Sequence, residues 1–458
     1  MPTVNWGDTV ITLLLSFLAA TSAYAGNADL PYKDTDFACI SQAEANKYVS
    51  DYGIDVQSFG GMELCNSATD TKKLFNDLSL IEKTQFNADN GHSFIRGFVN
   101  GASYYSWMKG ETRGMNRGND IPWATAYNSG GYFTMQDGWA TLSTLGRVGT
   151  VIHEARHTAG YRHYACSHGP YGGASSAGCD TTYSQGGSHG VEMEYYARVV
   201  LLSKNLHPAY KSMARLMALG RSNFVFNESP MRQREALVGL SGNRMVLVDG
   251  TEVSERETPV AAAGSVLKRT SFGASLVKGQ KAVAVDVYGF SNNGYSMEDD
   301  YSYYKLYKTP RPNGPTAVQS IEEIDVGTKR YFAVLADGGK VYSYNFPQGA
   351  WHTASAALSG ADTFVTRAPA GEFGLFAVKA DGSVVPFDLT TRRFGSPLRE
   401  RWTSDTRAYA KMGNTLVRLT ADGRVVNAST GDSIEPFAKR VVTDLVNVPL
   451  YDTFEVVR

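Results

Sequence analysis

The sequence predicts a multidomain chain, with a mainly α (α+β) N-terminal domain followed by an all-β C-terminal domain. Two observations support this prediction. Up to about residue 220, apolar residues recur mostly at helical spacing. Beyond that point, short runs of Val, Leu, Phe and Tyr alternate with turn residues, which is typical of short strands. The length of 458 residues has room for both parts, since domains usually contain roughly 100–200 residues.

The composition is that of a folded and nearly neutral protein. Hydrophobic residues make up 43% of the chain and charged residues 19%, which excludes a wholly disordered chain. The 44 Lys and Arg residues are balanced by 45 Asp and Glu residues. Because the chain has no net basic charge to attract phosphates, we expect no nucleic-acid partner.

The first 25 residues are predicted to be a signal peptide for export. Residues 10–20 form an apolar core that is too short to span a bilayer as a helix. Ala23 and Ala25 flank Tyr24 in the pattern of a cleavage site. The alternative is an apolar N-terminal strand or helix. No later apolar run approaches 18 residues, so we expect no membrane span and a periplasmic or extracellular location.

The four cysteines predict two disulfides, because their number is even and the chain is expected to enter an oxidising compartment. Three pairings can be drawn, and the sequence does not choose between them. Two local pairs are present in the sequence, Cys39 with Cys65 and Cys166 with Cys179. A zinc site is the competing interpretation of the second pair, and its ligands would be Cys166, His168, Cys179 and His189.

Residues 26–220 carry the helical signals of the first domain. A capping box from Ser41 to Glu44, with Gly53 as a stop, predicts the first helix. Further helices are predicted around residues 74–81, 94–108, 142–159 and 191–219, the last as one or two helices. A short strand is predicted at Tyr132–Met135, and the Gly- and Ser-rich residues 166–190 are predicted to be a loop.

A repeat of about 40 residues recurs through residues 236–458, after a predicted linker at 221–235. Its turns carry the tripeptide Ala-Asp-Gly, which begins at Ala336, Ala380 and Ala421 with spacings of 44 and 41 residues. An Asp-Gly turn between two apolar runs is a strong hairpin signal. Such repeats are typical of β-propeller blades, so we predict about five blade-like units, with a β-sandwich as the alternative.

Five of the eight histidines lie between residues 153 and 189. His153 and His157 are one helical turn apart and therefore share a face, where two imidazoles can bind neighbouring positions of a metal ion. Glu154 lies beside the first of them, so it can reach a metal-bound water without binding the metal. This arrangement is the HExxH motif, which is typical of zinc peptidases.

The motif extends to the eleven-residue string HEARHTAGYRH, which resembles the signature of the metzincin clan of zinc metallopeptidases. The resemblance implies a zincin-like N-terminal domain that binds Zn²⁺. The implied zinc ligands are His153, His157 and His163, and the implied general base is Glu154. Gly160 has a physical role in this pattern, because a left-handed turn there lets the chain return a third histidine to the metal.

The clan also carries a Met in a turn beneath the metal. The nearest candidate here is Met193, which lies in a segment predicted to begin a helix. Other residues compete for the third ligand position. In a second zincin pattern this ligand is a Glu on a later helix, and the competing residues are Glu192, Glu194, His168 and His189.

Several neighbouring residues are candidates for supporting roles. The predicted strand Tyr132–Met135 is a candidate edge for an extended substrate, with an ordinary core strand as the alternative. Arg156 is predicted either to pair with Asp180 or Glu194 or to be a surface residue. The candidate hydrogen-bond donors to the transition state are Tyr161, Tyr164, Tyr195 and Tyr196.

Three functions are consistent with these patterns. The first is an exported zinc metallopeptidase that acts on peptide or protein substrates, with zinc-activated water as the nucleophile. The second is a zinc amidase that acts on cell-wall material, because water activated by the same zinc ligands can attack a peptide carbonyl or the carbonyl of a cell-wall amide. The third is a non-catalytic propeller adhesin or scaffold with a structural zinc ion. In each case the propeller is a candidate site for a protein or cell-wall ligand.

Overall fold

The structure is a computed structural model that describes residues 29–99, 103–121, 124–169, 177–258, 264–271, 273–278, 281–287, 314–315, 318–326, 329–345 and 350–451. The predicted signal peptide at residues 1–25 lies outside these ranges. Within them, no helix combines the length and the apolar character that crossing a bilayer requires.

The α-helices of the described chain precede residue 225. They are α1 (Gln42–Tyr52), α2 (Asp70–Lys83), α3 (Tyr104–Glu111), α4 (Asp137–Ala140), α5 (Thr144–Thr158), α6 (Ser188–Leu202) and α7 (Ala209–Phe224). The predicted start and stop of α1 are confirmed. The Ser41 hydroxyl accepts a hydrogen bond from the Glu44 amide at 3.2 Å, and Gly53 ends the helix at φ 57°.

The predicted helix over residues 94–108 is wrong in its first half. Only α3, from Tyr104, is helical there. Upstream, the buried Glu194 carboxylate accepts hydrogen bonds from the backbone amides of Arg96 at 3.0 Å and Phe98 at 3.1 Å. These bonds, together with the positive φ of Gly97, hold the segment in a non-helical path. This tertiary carboxylate is not visible in the local pattern.

Two small sheets accompany the helices. The first contains β1 (Gly114–Arg117), β2 (Ala126–Ser129) and β3 (Tyr132–Met135) in the order β1-β3-β2. The predicted strand Tyr132–Met135 therefore exists. It is the central strand of its sheet, which agrees with the predicted alternative of an ordinary core strand and not with the candidate substrate edge. In the described chain, β2 is the edge strand that contacts α5.

The second sheet runs through the segment that was predicted to be a loop. It contains β4 (Tyr164–Ala165), β5 (Ala177–Thr182) and β6 (Phe226–Glu228) in that order. The two disulfides are confirmed as Cys39–Cys65 and Cys166–Cys179. The Cys166–Cys179 disulfide links the residue that follows β4 to strand β5. The alternative zinc site with Cys166 and Cys179 as ligands is thereby excluded, because these sulfurs are bonded to each other.

The C-terminal part is propeller-like and consists of antiparallel sheets that follow one another in the sequence. Their strands are β7 (Gln233–Ser241), β8 (Arg244–Asp249), β9 (Glu252–Glu257), β10 (Val266–Thr270), β11 (Gly273–Lys278), β12 (Lys281–Val285), β13 (Val318–Val326), β14 (Lys329–Ala336), β15 (Lys340–Asn345), β16 (Ala350–Thr353), β17 (Ala361–Arg367), β18 (Phe373–Lys379), β19 (Val384–Asp388), β20 (Arg393–Phe394), β21 (Thr406–Met412), β22 (Thr415–Thr420), β23 (Val425–Asn427) and β24 (Asp444–Tyr451).

The sheets close into a ring. The last strand, β24, pairs with β7, so the C-terminal strand completes the first sheet in the order β24-β7-β8-β9. Around the axis, β24, β10, β13, β17 and β21 contact one another in circular order. The three Ala-Asp-Gly turns join consecutive antiparallel strands, and their glycines have φ values of 73°, 81° and 88°. Glycine tolerates this left-handed conformation, which is why the motif recurs at these turns.

The helical part and the ring share one hydrophobic core. Buried side chains of α7, such as Met217, belong to the same cluster as Val238 on β7 and Val448 on β24. A buried ion pair between Arg215 and Asp286 also joins the two parts. The segment 221–235, predicted as a linker, contains the end of α7, all of β6 and the start of β7.

Candidate metal centre

Helix α5 supplies the first two histidines of the centre. The Ser143 hydroxyl caps the helix by accepting the Gly146 amide at 3.2 Å, and the helix is buried from Thr144 to Ala155. His153 and His157 share the face that the motif predicts, and their Nε2 atoms lie 3.2 Å apart.

A turn at Gly160 brings the third histidine back to the helix. Gly160 has φ 88°, a left-handed conformation that favours glycine. His163 follows in the sequence, and its Nε2 lies 3.0 Å from the Nε2 of His153. The Cys166–Cys179 disulfide and the β4–β5 pairing hold this returning segment against β5. The three histidines of the HEARHTAGYRH string therefore converge around His153.

A fourth histidine lies at the same place. His189 is on the first turn of α6, and its ring centroid is 4.4 Å from that of His153 and 4.7 Å from that of His163. One nitrogen from each of these three rings lies within 4.8 Å of the others. His189 was one of the competing ligands in the sequence analysis.

The opposite ring nitrogens of the motif histidines face oxygen acceptors. The distances are 2.6 Å from His157 Nδ1 to the Tyr161 carbonyl, 3.3 Å from His163 Nδ1 to Asp180 Oδ1, and 3.5 Å from His153 Nδ1 to Glu192 Oε2. An imidazole that donates from Nδ1 carries its lone pair on Nε2. The Nε2 lone pairs are therefore the ones available for a metal ion.

The nitrogen separations around His153 match those between two ligands of a zinc ion. With Zn–N distances of about 2.0–2.1 Å, two ligands of a tetrahedral site are separated by about 3.4 Å. The observed Nε2 separations around His153, 3.0 and 3.2 Å, are close to that value. The ligands must also be neutral. Burial, together with the positive charge that His163 can carry, lowers the pKa of His157 to about 4, and burial lowers that of His153 well below its ordinary value.

The competing ligands Glu192 and Glu194 hold other partners. Glu192 Oε1 accepts hydrogen bonds from the Tyr196 hydroxyl at 2.7 Å and from Arg221 Nε at 3.0 Å, and Oε2 faces the Nδ1 atoms of His153 and His189. Burial opposes ionisation, but Arg221 and the histidines hold the pKa of Glu192 well below its ordinary value. The Glu192 carboxylate therefore orients the rings of His153 and His189 through their Nδ1 atoms. Glu194 binds the backbone of the 94–99 segment and Arg198 instead.

Glu154 is buried beside the cluster with an unused oxygen. Its side chain is 4% exposed, and Oε2 has no hydrogen-bond partner among the described residues. Burial, together with the negative charge of Glu192, raises the pKa of Glu154 to about 8. A buried carboxylate oxygen without a partner is costly to the fold, and such perturbed groups are concentrated at functional sites.

Asn128 ties the edge strand to the metal-binding helix. Its Nδ2 donates to the Glu154 carbonyl and, at 2.8 Å, to the Thr158 hydroxyl, while its Oδ1 accepts the Gly131 amide at 2.8 Å. No motif in the sequence predicts a role for this residue. An Asn two positions before a Gly-Gly turn is a weak signal without knowledge of the sheet order.

The supporting residues differ from several predictions. Asp180 is paired with His163, whereas Arg156 donates to the Gly186 carbonyl at 2.7 Å and lies over the Tyr161 ring. Tyr195 and Tyr196 are buried, which leaves Tyr161 and Tyr164 as accessible candidate donors. Met193 is fully buried within α6 and not in a turn. His168 contacts Ser167 and is not part of the histidine cluster.

Comparisons with known proteins give matches among solved structures at low identity. No protein-family model and no curated protein matches the sequence. Among solved structures, the chain is similar to BamB from Moraxella catarrhalis at 12% identity, covering 44% of this chain and 72% of that one with a TM-score of 0.22. AztD from Citrobacter koseri matches at 11% identity over 48% of this chain and 63% of that one, with a TM-score of 0.20. A structure of BBS1N in complex with ARL6DN matches at 11% identity over 44% and 64%, with a TM-score of 0.23.

Proposed function

We propose that the chain is an exported zinc-dependent hydrolase that cleaves peptide bonds. One observation supports this most directly. The Nε2 atoms of His157 and His163 lie within 3.2 Å of that of His153. Glu154 follows His153 in the sequence, and its Oε2 has no hydrogen-bond partner among the described residues. Export is supported by the two disulfides, which are typical of oxidising compartments.

The residues that would hold zinc are His153, His157 and His163. A bound zinc ion supplies Lewis acidity, which lowers the pKa of its water to about 7 and polarises a carbonyl group. Asp180, Glu192 and the Tyr161 carbonyl orient the three rings from their Nδ1 sides.

Glu154 is the residue we assign to proton transfer. It accepts a proton from the attacking water and passes it to the leaving amine. Its burial keeps competing hydrogen bonds away from Oε2. A nearby cation favours the ionised form of a carboxylate, so metal binding would oppose the raised pKa of Glu154.

Strand β2 supports a peptide as the substrate. It is the edge of its sheet in the described chain, and Asn128 fixes it to the backbone of Glu154. An extended peptide can pair with such an edge through main-chain hydrogen bonds. In this proposal β2 is the edge that binds an extended substrate, for which Tyr132–Met135 was the predicted candidate.

The decisive experiment combines zinc content with hydrolysis. The mature chain, His163→Ala and Glu154→Gln are compared, with His168→Ala as the matched histidine control. Both casein-type proteins and muropeptides serve as substrates, so that a cell-wall amidase is distinguished from a peptidase. We expect one zinc per chain in the wild type and in His168→Ala, weaker zinc binding in His163→Ala, and loss of hydrolysis in Glu154→Gln. Full activity of Glu154→Gln would contradict the proposal.

A non-catalytic propeller scaffold is the second candidate, with a protein or cell-wall ligand on the ring. His189 favours it, because a fourth histidine beside His153 and His163 is what a closed structural zinc site needs. His189→Ala discriminates the two functions. A catalytic site bound by the three motif histidines keeps most of its zinc affinity in this variant, whereas a four-histidine structural site loses it. No hydrolysis by the wild type, together with zinc loss in His189→Ala, would favour the scaffold.

A further inference from the structure

A half-open cavity of about 200 Å³ lies at the axis of the propeller. All of the innermost strands contribute to its wall, and representative residues are Leu267, Glu322, Phe364, Tyr409 and Val446. Sites for drug-sized ligands usually measure about 300–1,000 Å³, so this cavity suits a smaller molecule. The residues that line this cavity are different from those of the histidine cluster.

The wall of the cavity contains more cationic than acidic side chains. Three cationic residues, Lys268, Arg367 and Arg407, face two acidic ones, Glu322 and Asp444. Lys268 forms an ion pair with Glu322. The Asp444 carboxylate accepts the backbone amides of Leu267 at 2.6 Å and Leu445 at 2.8 Å.

The two arginines differ in their partners. Arg367 is buried, donates to the Gly371 carbonyl at 3.0 Å and shares Glu235, at 3.4 Å, with Arg269. Arg407 is exposed, lines the cavity and forms no ion pair with any described residue. Its positive charge acts on Asp444 from a distance and opposes the rise that burial causes in the pKa of that carboxyl. The Arg407 guanidinium is therefore without an ion-pair partner among the described residues. The two acidic residues of the wall already have other partners, Lys268 for Glu322 and backbone amides for Asp444.

Aromatic rings supply the apolar part of the wall. Trp402 and Tyr409 meet edge to face with ring centroids 5.1 Å apart. Phe373, also in the wall, is 44% exposed, and the guanidinium groups of Arg269 and Arg367 lie over its ring at 5.4 and 5.7 Å. A guanidinium beside exposed rings recognises a molecule that carries both an anionic and an apolar end.

We propose that this cavity binds a small monocarboxylate with an aromatic or aliphatic group. The carboxylate pairs with Arg407, and the apolar group lies against the rings. A single negative charge matches the one guanidinium of the wall, that of Arg407, that forms no ion pair with a described residue. Dianions are disfavoured because Asp444 and Glu322 repel a second charge. The site is independent of the proposed hydrolase activity.

Calorimetric titration of the full chain tests this inference, with phenylacetate as the probe and neutral phenylacetamide as its isostere. The protein is titrated with and without a zinc chelator, because carboxylates also bind zinc. Arg407→Gln is compared with Arg418→Gln, whose native arginine pairs with Asp405 away from the cavity wall.

We expect saturable binding of phenylacetate that is at least tenfold tighter than that of phenylacetamide. Arg407→Gln should weaken it at least tenfold, while Arg418→Gln and the chelator leave it unchanged. Because Arg407 is exposed, its replacement should not impair folding, and the thermal unfolding temperature checks this. Equal binding of the two probes, unchanged binding in Arg407→Gln, binding lost with the chelator, or no saturable binding would each overturn the inference.

Discussion

Asp180 controls where the His163 ring points. Its Oδ1 faces His163 Nδ1 at 3.3 Å, and its Oδ2 accepts the Gly190 amide at 3.0 Å. Burial raises the pKa of Asp180, but the bond with His163 and the nearby positive charge of the histidines outweigh it, so the net pKa is lowered and the group is a carboxylate. A carboxylate in this position fixes the ring tautomer and increases the basicity of Nε2.

We therefore predict that Asp180→Asn weakens zinc binding by about 10–100-fold, the usual effect of losing such a partner. Asn keeps the size of the side chain and an oxygen acceptor but removes the charge. Competition with a chelator of known affinity measures the change. Asp362→Asn, at an exposed position of the propeller, is the matched control. Equal zinc affinity in Asp180→Asn and the wild type would mean that Asp180 has no part in the centre.

The sequence predicted these residues unequally. His153, His157, Gly160 and His163 are close in the chain, so their spacing alone describes a helix, a turn and a return. Asp180 and His189 join the centre only because α6 packs against α5 and β5 packs against α6. Local spacing carries no information about that packing, which is why His189 was only one of several competitors and Asp180 was assigned to Arg156.

At the scale of elements, α5 and α6 approach closely at Gly149. A Cβ atom added there would overlap the Tyr196 hydroxyl, which donates to Glu192 Oε1. Gly149→Ala should therefore separate the helices and destabilise the protein by about 1–3 kcal/mol, the usual cost of overpacking. Gly110→Ala is the matched control, because its Cβ meets nothing within 4 Å on helix α3 and alanine is the better helix former.

Urea unfolding measures both glycine variants. We expect Gly149→Ala to lose zinc affinity as well, since Glu192 faces His153 and His189. Gly110→Ala should be neutral or slightly stabilising. Similar unfolding free energies for the two variants would show that the helix pair adapts without cost.

Asn128 offers a second prediction for these elements. Asn128→Asp removes both Nδ2 hydrogen bonds and places a carboxylate against the Glu154 carbonyl, so β2 should separate from α5. We expect a loss of about 1–3 kcal/mol in the free energy of unfolding, the cost of leaving such groups unpaired. The same substitution at the exposed turn residue Asn414 is the control. Equal effects of the two substitutions would remove the structural role that we assign to Asn128.

The elements themselves were predictable where local signals decide them. Ser41, Gly53 and the Ala-Asp-Gly turns act within a few residues of their positions, and the structure confirms them. Sheet order is different, because β3 lies between β1 and β2 only through long-range pairing. The strand at Tyr132–Met135 was therefore predicted, whereas the local pattern did not decide between a sheet edge and a core strand.

At the scale of the whole molecule, the helical part and the propeller are expected to unfold together. Their buried side chains form one cluster, and β24 contributes Val448 and Leu450 to it. Tyr451 at the end of β24 donates to the Ser271 carbonyl at 2.6 Å. A defect in β24 should therefore reach the metal centre, although that centre is built from residues before 190.

Val448→Asp tests this coupling. Val448 is fully buried, so an aspartate there places a charge in the shared core, and we expect a loss of more than about 4 kcal/mol in the free energy of unfolding. Val441→Asp makes the same change at a residue that is 68% exposed and should have little effect. Urea unfolding is followed by zinc retention, which reports on the metal centre, and by near-ultraviolet circular dichroism, which reports on packed aromatic side chains throughout the molecule. If the parts are coupled, Val448→Asp shifts both signals to the same lower urea concentration. A circular dichroism transition at lower urea with unchanged zinc retention would show that the two parts unfold independently.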